Sequence, residues 1–227
     1  MIPPLIVQEA LEQGINLIAI TDHNSTANIE AVMKAARETN LTVLPGMELQ
    51  TIEEVHVLCL FDTLDQARAW NHIVSKYLPP TRNNPDYFGE QFIVDHTGEF
   101  IRREDQMLSI SAELSLKKAR ELVNELGGLF IPAHVNRKAF GLLPVLGLIP
   151  VDTSIDGLEI SRHITPDIAI ATYPMIKGYP IIQSGDVHFL DDFFAPVWFE
   201  IEKPSIGEIR LALTGNDDRR FWIKPVK

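Results

Sequence analysis

Short apolar runs alternate along this chain with stretches of helical period, and several of the runs carry a metal-ligand side chain where the apolar character stops. LIAITDH holds His23, VLPGMEL holds Glu48, VHVLCLF holds His56, LFIPAHV holds His134, and IIQSGDVH holds Asp186 and His188. Apolar runs of this length between amphipathic helical segments are the pattern of repeated βα units with buried strands. In such a fold the carboxyl ends of the strands face one side, so residues far apart in sequence meet there. The alternation therefore constrains the chain to an α/β class and implies a cluster of divalent metals at one end of its strands.

The individual elements follow from periodicity and punctuation. Residues 4 to 14 predict an amphipathic helix ended by Gly14, residues 16 to 21 a strand, and residues 26 to 39 a helix capped by Ser25 or Thr26. Strands are predicted near 42 to 48 and 55 to 61, then a helix near 65 to 77. PPTRNNP marks a break, and residues 79 to 111 carry no clear period, which implies an insertion or lid. Regularity resumes with a helix at 113 to 126, stopped by Gly127 and Gly128, and a strand at 129 to 133. Further strands are predicted at 157 to 161, 180 to 184, 196 to 201 and 221 to 224, with short helices near 166 to 173 and 205 to 213. There is no repeat, low-complexity tract or composition shift, so residues 1 to 227 are expected to form one domain.

Composition narrows the function classes. At 227 residues and 45% hydrophobic content the chain can bury a full core. Its longest apolar stretches, such as INLIAI and FGLLPVLGLIPV, are too short to span a bilayer, so no membrane partner is expected. A single cysteine, Cys59, excludes an internal disulfide framework, and with no secretion signal at the amino terminus the expected location is cytoplasmic. The net charge of −11 argues against a long electrostatic track for duplex nucleic acid, which needs many Lys and Arg contacts to phosphate. A small phosphorylated substrate stays compatible, because metals and a few local basic groups supply the positive charge.

Each candidate ligand has a structural alternative. His23 sits in TDHNS at a strand-end turn, where Asp22 could serve only as a cap. Glu48 follows VLPGM and would be costly to bury without a cation or a hydrogen-bonded partner. His56 should point away from Val55, Val57 and Cys59 in an alternating strand, as a core histidine or a ligand. His134 follows Pro132, which limits ladder hydrogen bonding where the strand should finish. Asp186 and His188 are two residues apart, so an extended GDVH segment would turn both to one side, with Gly185 allowing close backbone approach. Together these positions point to a metal site where singly they do not.

The order TDHNS, PGMEL, EVHVL, PAHVNR and GDVH resembles the PHP superfamily, the polymerase and histidinol phosphatase group of metal-dependent phosphoesterases, over nearly the whole chain. The resemblance implies a distorted barrel of seven βα units holding up to three metals, with zinc, manganese and iron all compatible with mixed His and carboxylate ligation. It implies that His23, Asp186 and His188 serve one metal, that Glu48 bridges two, and that His56 and His134 complete the second. The sequence departs from the pattern at its start, because the family's amino-terminal HxH motif has no counterpart before His23. The expectation is that Met1 is an internal methionine of a longer protein, with roughly 20 residues for one strand and a loop preceding it, and that the barrel here lacks its first strand.

The implied chemistry is phosphoester hydrolysis by metal-activated water, with no protein nucleophile. Arg137, just beyond His134, and Arg162, just after GLEIS, lie on loops expected to face the site and are candidates for phosphate contact. Two other readings stand beside it. One is a DNA-processing nuclease of a polymerase or repair system; the other is a non-catalytic module that keeps a single structural metal.

Overall fold

The computed structural model describes residues 1–224. Helix α1 (Pro3–Glu12) begins with prolines at its first turn, where their missing N–H and fixed φ cost nothing, and the chain turns back at Gly14 with φ +70°. Strand β1 (Leu17–Ile20) leads to helix α2 (Ile29–Ala35). This helix is shorter than its periodicity predicts at both ends. Asn28 is its cap residue and makes no side-chain cap bond, while Ser25 Oγ accepts Ala27 N–H in a turn upstream. Strand β2 (Thr42–Gln50) pairs parallel to β1, as the intervening helix requires.

Strand β3 (His56–Leu60) is the first departure from a βα repeat. It follows β2 after a connection too short for a crossover, so the two pair antiparallel, with Gln50 opposite His56 and Glu48 opposite Leu58. Alternation along β3 then follows the sequence expectation: Val55, Val57 and Cys59 enter one apolar cluster, while Leu58 and Leu60 pack in the other. Helix α3 (Leu64–Val74) has a capping box, in which Thr63 Oγ1 accepts Gln66 N–H and Gln66 Oε1 accepts Thr63 N–H.

Within residues 79 to 111 the chain is ordered into a one-turn helix α4 (Pro85–Phe88) and a hairpin of β4 (Phe92–Val94) and β5 (Phe100–Arg103). Asp95 makes the hairpin turn, its carboxylate accepting the N–H groups of Thr97 and Glu99. Helix α5 (Leu116–Glu125) starts later than its periodicity predicts, because Ser115 Oγ caps it and the Glu53 carboxylate takes Leu116 N–H. Strand β6 (Leu129–Pro132) pairs antiparallel with β3, giving the sheet order β1-β2-β3-β6. Helix α6 (Leu142–Leu146) is an element the sequence reading did not separate. Strand β7 (Leu158–Ile160), helix α7 (Pro166–Thr172) and strand β8 (Ile181–Gln183) form a parallel unit. That unit meets the end of β6 through Asp156 N–H to Phe130 O and Val135 N–H to Glu159 O. Strand β9 (Val197–Glu200), helix α8 (Ile206–Thr214) and strand β10 (Arg220–Ile223) close the chain, with β9 and β10 antiparallel.

The class is therefore mixed α/β, as expected. Among the described residues the strands fall into one four-stranded sheet and three pairs, and no closed sheet is found. No described helix is long and apolar enough to cross a membrane.

Core burial is concentrated on the α3 and α5 side of the sheet, where Trp70, Phe61 and Phe130 are fully buried. Trp70 Nε1 has no hydrogen-bond partner, so its ring serves by volume. Trp70→Ala should lower unfolding free energy by about 3–5 kcal/mol. Trp70→Phe, which keeps most of the volume and removes the unpartnered N–H, should cost less than half of that. Urea unfolding midpoints at constant slope measure both; equal losses in the two variants would refute this account.

Candidate metal centre

The β2–β3 hairpin supplies the heart of the site. Because Gln50 faces His56 across the ladder, Glu48 lies on the same face as a diagonal neighbour of His56. Glu48 Oε1 stands 2.9 Å from His56 Nδ1 and 3.2 Å from His134 Nε2, and its Oε2 stands 3.3 Å from His23 Nδ1. β1 delivers His23 by extending past its last ladder residue to an isolated parallel bridge between His23 and Glu48. β6 delivers His134 just after Pro132 closes the strand. Nitrogen or oxygen atoms of His23, Glu48 and His56 lie within 4.8 Å of one another. His134 joins them through the shared Glu48 oxygen.

Glu48, His56 and His134 are buried, and His23 is half-buried. Burial alone would raise the Glu48 carboxyl, but hydrogen bonds from His134 and His56 and the nearby His23 outweigh it and hold the group far below the ordinary carboxylate range. Burial likewise lowers the His23 imidazole, an effect that Glu48 only partly offsets. A neutral imidazole beside an ionised carboxylate is the donor state that a divalent cation requires. His23 Nδ1 and His134 Nδ1 are also buried without a hydrogen-bond partner. Hard and borderline donors converging on one point, with orphaned imidazole nitrogens among them, fit a divalent metal and leave its identity open.

Asp186 and His188 come from the segment after β8, and here the expectation of an extended GDVH needs correction. The strand ends at Gln183, Asp186 is in the left-handed region with φ 47°, and His188 folds back so that its Nδ1 lies 2.9 Å from Asp186 O. The segment is thus a turn rather than an extended run, yet it keeps the two side chains together, with His188 Nδ1 3.6 Å from Asp186 Oδ1, and a Cβ at Gly185 would come within 2.5 Å of Val187 Cγ2, so this turn favours glycine there. His188 remains exposed with its ring 6.1 Å from that of His23. Asp186 faces Arg137, whose guanidinium donates to its Oδ2 at 2.6 Å. Arg162 donates to Asp192 O at 3.0 Å and lies over the Phe194 ring at 5.2 Å. A pocket of about 460 Å³ is lined by His134, Arg137, Glu159, Arg162, Ser184 and Asp186, among others.

Several supporting residues escaped the sequence reading. Phe140 carbonyl accepts His56 N–H, and its ring stacks on His56 at 4.4 Å, so one residue fixes both the backbone and the plane of that imidazole. Gly141 makes the turn possible, since a Cβ there would come within 2.2 Å of Arg137 O. Asn24, left-handed with φ 48°, donates to Leu108 O and Ile110 O and accepts Gln50 N–H, which ties residues 79 to 111 to the site. Glu159 is buried beside His134, and burial pushes its carboxyl up to about 7 against hydrogen bonds from Ser184 and His134 N–H. The only sequence signal for Glu159 was a carboxylate inside the apolar GLEI, which alternation alone assigns to a strand.

With this geometry in view, the family comparison is decisive for class. The PHP domain family matches residues 3–135, and the chain belongs to that family. Its members are metal-dependent hydrolases, phosphoesterases and endonuclease Q among them. The chain is 25% identical to an uncharacterized protein, YqxK, of Bacillus subtilis (strain 168), over 96% of this chain and 56% of that protein. It shares the fold of a lesion-specific endonuclease, EndoQ of Pyrococcus furiosus, with a TM-score of 0.71 and 21% identity over 97% of this chain and 53% of that one. It also matches endonuclease Q in complex with a 27-mer duplex carrying an abasic lesion, with a TM-score of 0.68, 20% identity and the same coverage. The chain spans about half the length of these relatives.

Asn24→Ala removes a buried polar bridge and places a strained residue in the left-handed region. It should cost about 1–3 kcal/mol for the hydrogen bonds left unmade and hasten tryptic cleavage at Arg102 and Arg103. An unchanged cleavage pattern would show that residues 79 to 111 are held by other contacts.

Proposed function

We propose that this chain hydrolyses phosphoesters at the Glu48 cluster, with a divalent metal held by His23, Glu48, His56 and His134 and with Asp186 and His188 extending the site. The observation that supports it most is the convergence of three imidazoles on one buried carboxylate, with one of them, His134, also lining the adjoining pocket. The metal, when bound, supplies Lewis acidity that activates water and neutralises phosphoryl charge. Glu48 contributes the fixed negative charge that holds a cation where the phosphate has to arrive. His23 and His56 turn ring nitrogens toward the same carboxylate, and Phe140 keeps His56 from rotating away. Arg137 and Arg162 line the pocket and are assigned to phosphate contact, their present carboxylate partners Asp186 and Asp192 marking where anionic oxygens are accepted. The seven-unit barrel is the architecture proposed for the whole, supported by β7 and β8 continuing beside the end of β6.

A small phosphomonoester or nucleotide is the substrate we favour, because the described basic groups at the pocket are few and the chain carries a net charge of −11. The likeness to endonuclease Q supports a second reading, cleavage of a lesion-bearing DNA strand. In that reading residues 79 to 111, tied to the site by Asn24, act as a rim or lid over the strand.

A panel of phosphomonoesters, nucleotides and an abasic duplex, each assayed with manganese and zinc, separates the two. Hydrolysis of the small esters with a silent duplex supports the first, and the reverse supports the second. His134→Ala and Asp186→Ala should each lower the metal-dependent rate at least 100-fold, on the order of one lost electrostatic contact to the transition state. Unchanged rates in either variant would remove that residue from the site.

A further inference from the structure

Glu159 is a buried carboxylate with no cationic partner within ion-pair distance among the described residues, a costly arrangement unless its oxygens are fully hydrogen-bonded. Both are used. Oε2 accepts His134 N–H at 3.1 Å, and Oε1 accepts the Ser184 hydroxyl. The backbone adds to the grip, since Val135 N–H donates to Glu159 O at 2.8 Å. One side chain in the middle of β7 therefore connects the turn after β6 to the turn after β8.

Both turns are strained, and both carry site residues. His134 has φ 32° and Asp186 has φ 47°, values that a side chain other than glycine adopts only when its surroundings impose them. Arg137 N–H closes the first turn on His134 O at 2.8 Å, and the second is wedged by Gly185, where a Cβ would come within 3.1 Å of Phe194 O. His134 Nδ1 makes no hydrogen bond, so the imidazole is not oriented through its far nitrogen as ligating histidines commonly are. Its position is set instead through the main chain, where Glu159 holds the N–H.

We propose that Glu159 is a positioning residue that fixes the His134 and Asp186 turns relative to each other and thereby sets the metal affinity of the Glu48 cluster. The proposal rests on the metal-site reading given above. Its chemistry is hydrogen bonding rather than charge. A glutamine can reproduce it, its carbonyl oxygen accepting His134 N–H and its amide donating to the Ser184 hydroxyl, whereas a leucine of similar volume leaves His134 N–H and the Ser184 hydroxyl unpartnered.

The test is calorimetric titration of the full chain with Mn²⁺, together with hydrogen exchange at the His134 amide in the metal-free protein. Glu159→Leu should weaken Mn²⁺ binding by about tenfold to a hundredfold, as loss of an outer partner of a ligand does, and should let the His134 amide exchange quickly. Glu159→Gln should restore protection and bring the affinity back to within about threefold of the parent, on the scale of outer-partner effects. If Glu159→Leu does not fold, Ser184→Ala carries the test, with unchanged melting and a weaker Mn²⁺ affinity expected. Parent-like affinity in Glu159→Leu or in Ser184→Ala would overturn the proposal, as would a loss in Glu159→Gln equal to that in Glu159→Leu. A parent protein that takes up no Mn²⁺, Zn²⁺ or Fe²⁺ would overturn the metal-site reading itself, a result visible before any variant is compared.

Discussion

A carboxylate buried at the end of a sheet has to be compensated, and the compensation of Glu48 organises this molecule. Its two oxygens face His23, His56 and His134, which arrive on three different strands. Remove that negative charge, and three imidazoles are left crowded together with ring centroids 5.1 and 5.3 Å apart and no common partner. The sheet order β1-β2-β3-β6 is the order that brings those strands to one edge of the cluster. Apolar packing on both faces of the sheet then keeps the strand ends in register.

The chain as a whole is acidic, yet the mouth of the pocket carries Arg137, Arg162 and His163. They share that lining with three carboxylates, Glu159, Asp186 and Asp192. Each arginine is held by a carboxylate, Arg137 by Asp186 and Arg162 by Asp192, so neither swings freely through solvent. An incoming anion would compete for groups already oriented, which lowers the ordering cost of binding it.

The apolar runs made most of this legible in advance, for a physical reason. Buried strands must be apolar, so β1, β2, β3 and β6 stood out, and a His or Glu ending such a run has few uses other than a site. Helices α3 and α5 were legible through their period, but their starts depended on Thr63 and Ser115, whose caps are single-residue effects that periodicity does not register. The antiparallel turn between β2 and β3 was missed because strand direction is not written in hydrophobicity. The hairpin at residues 92 to 103 was missed because its side chains are largely exposed and alternate with nothing. The roles of Phe140, Asn24 and Glu159 were hidden for a shared reason: each contacts groups of residues distant in sequence, and no spacing encodes that. The turn at Asp186 escaped notice because a left-handed φ of 47° at one residue is a local conformation that alternation does not register.

The hairpin that carries Glu48 and His56 has a kinetic meaning as well. Those two residues are eight positions apart, whereas Glu48 and His134 are separated by 86. Closing the longer loop costs about 2 kcal/mol more in chain entropy, by the logarithmic dependence on loop length. Half of the cluster can therefore assemble from one local turn, early and cheaply, while His134 waits for β6 to dock.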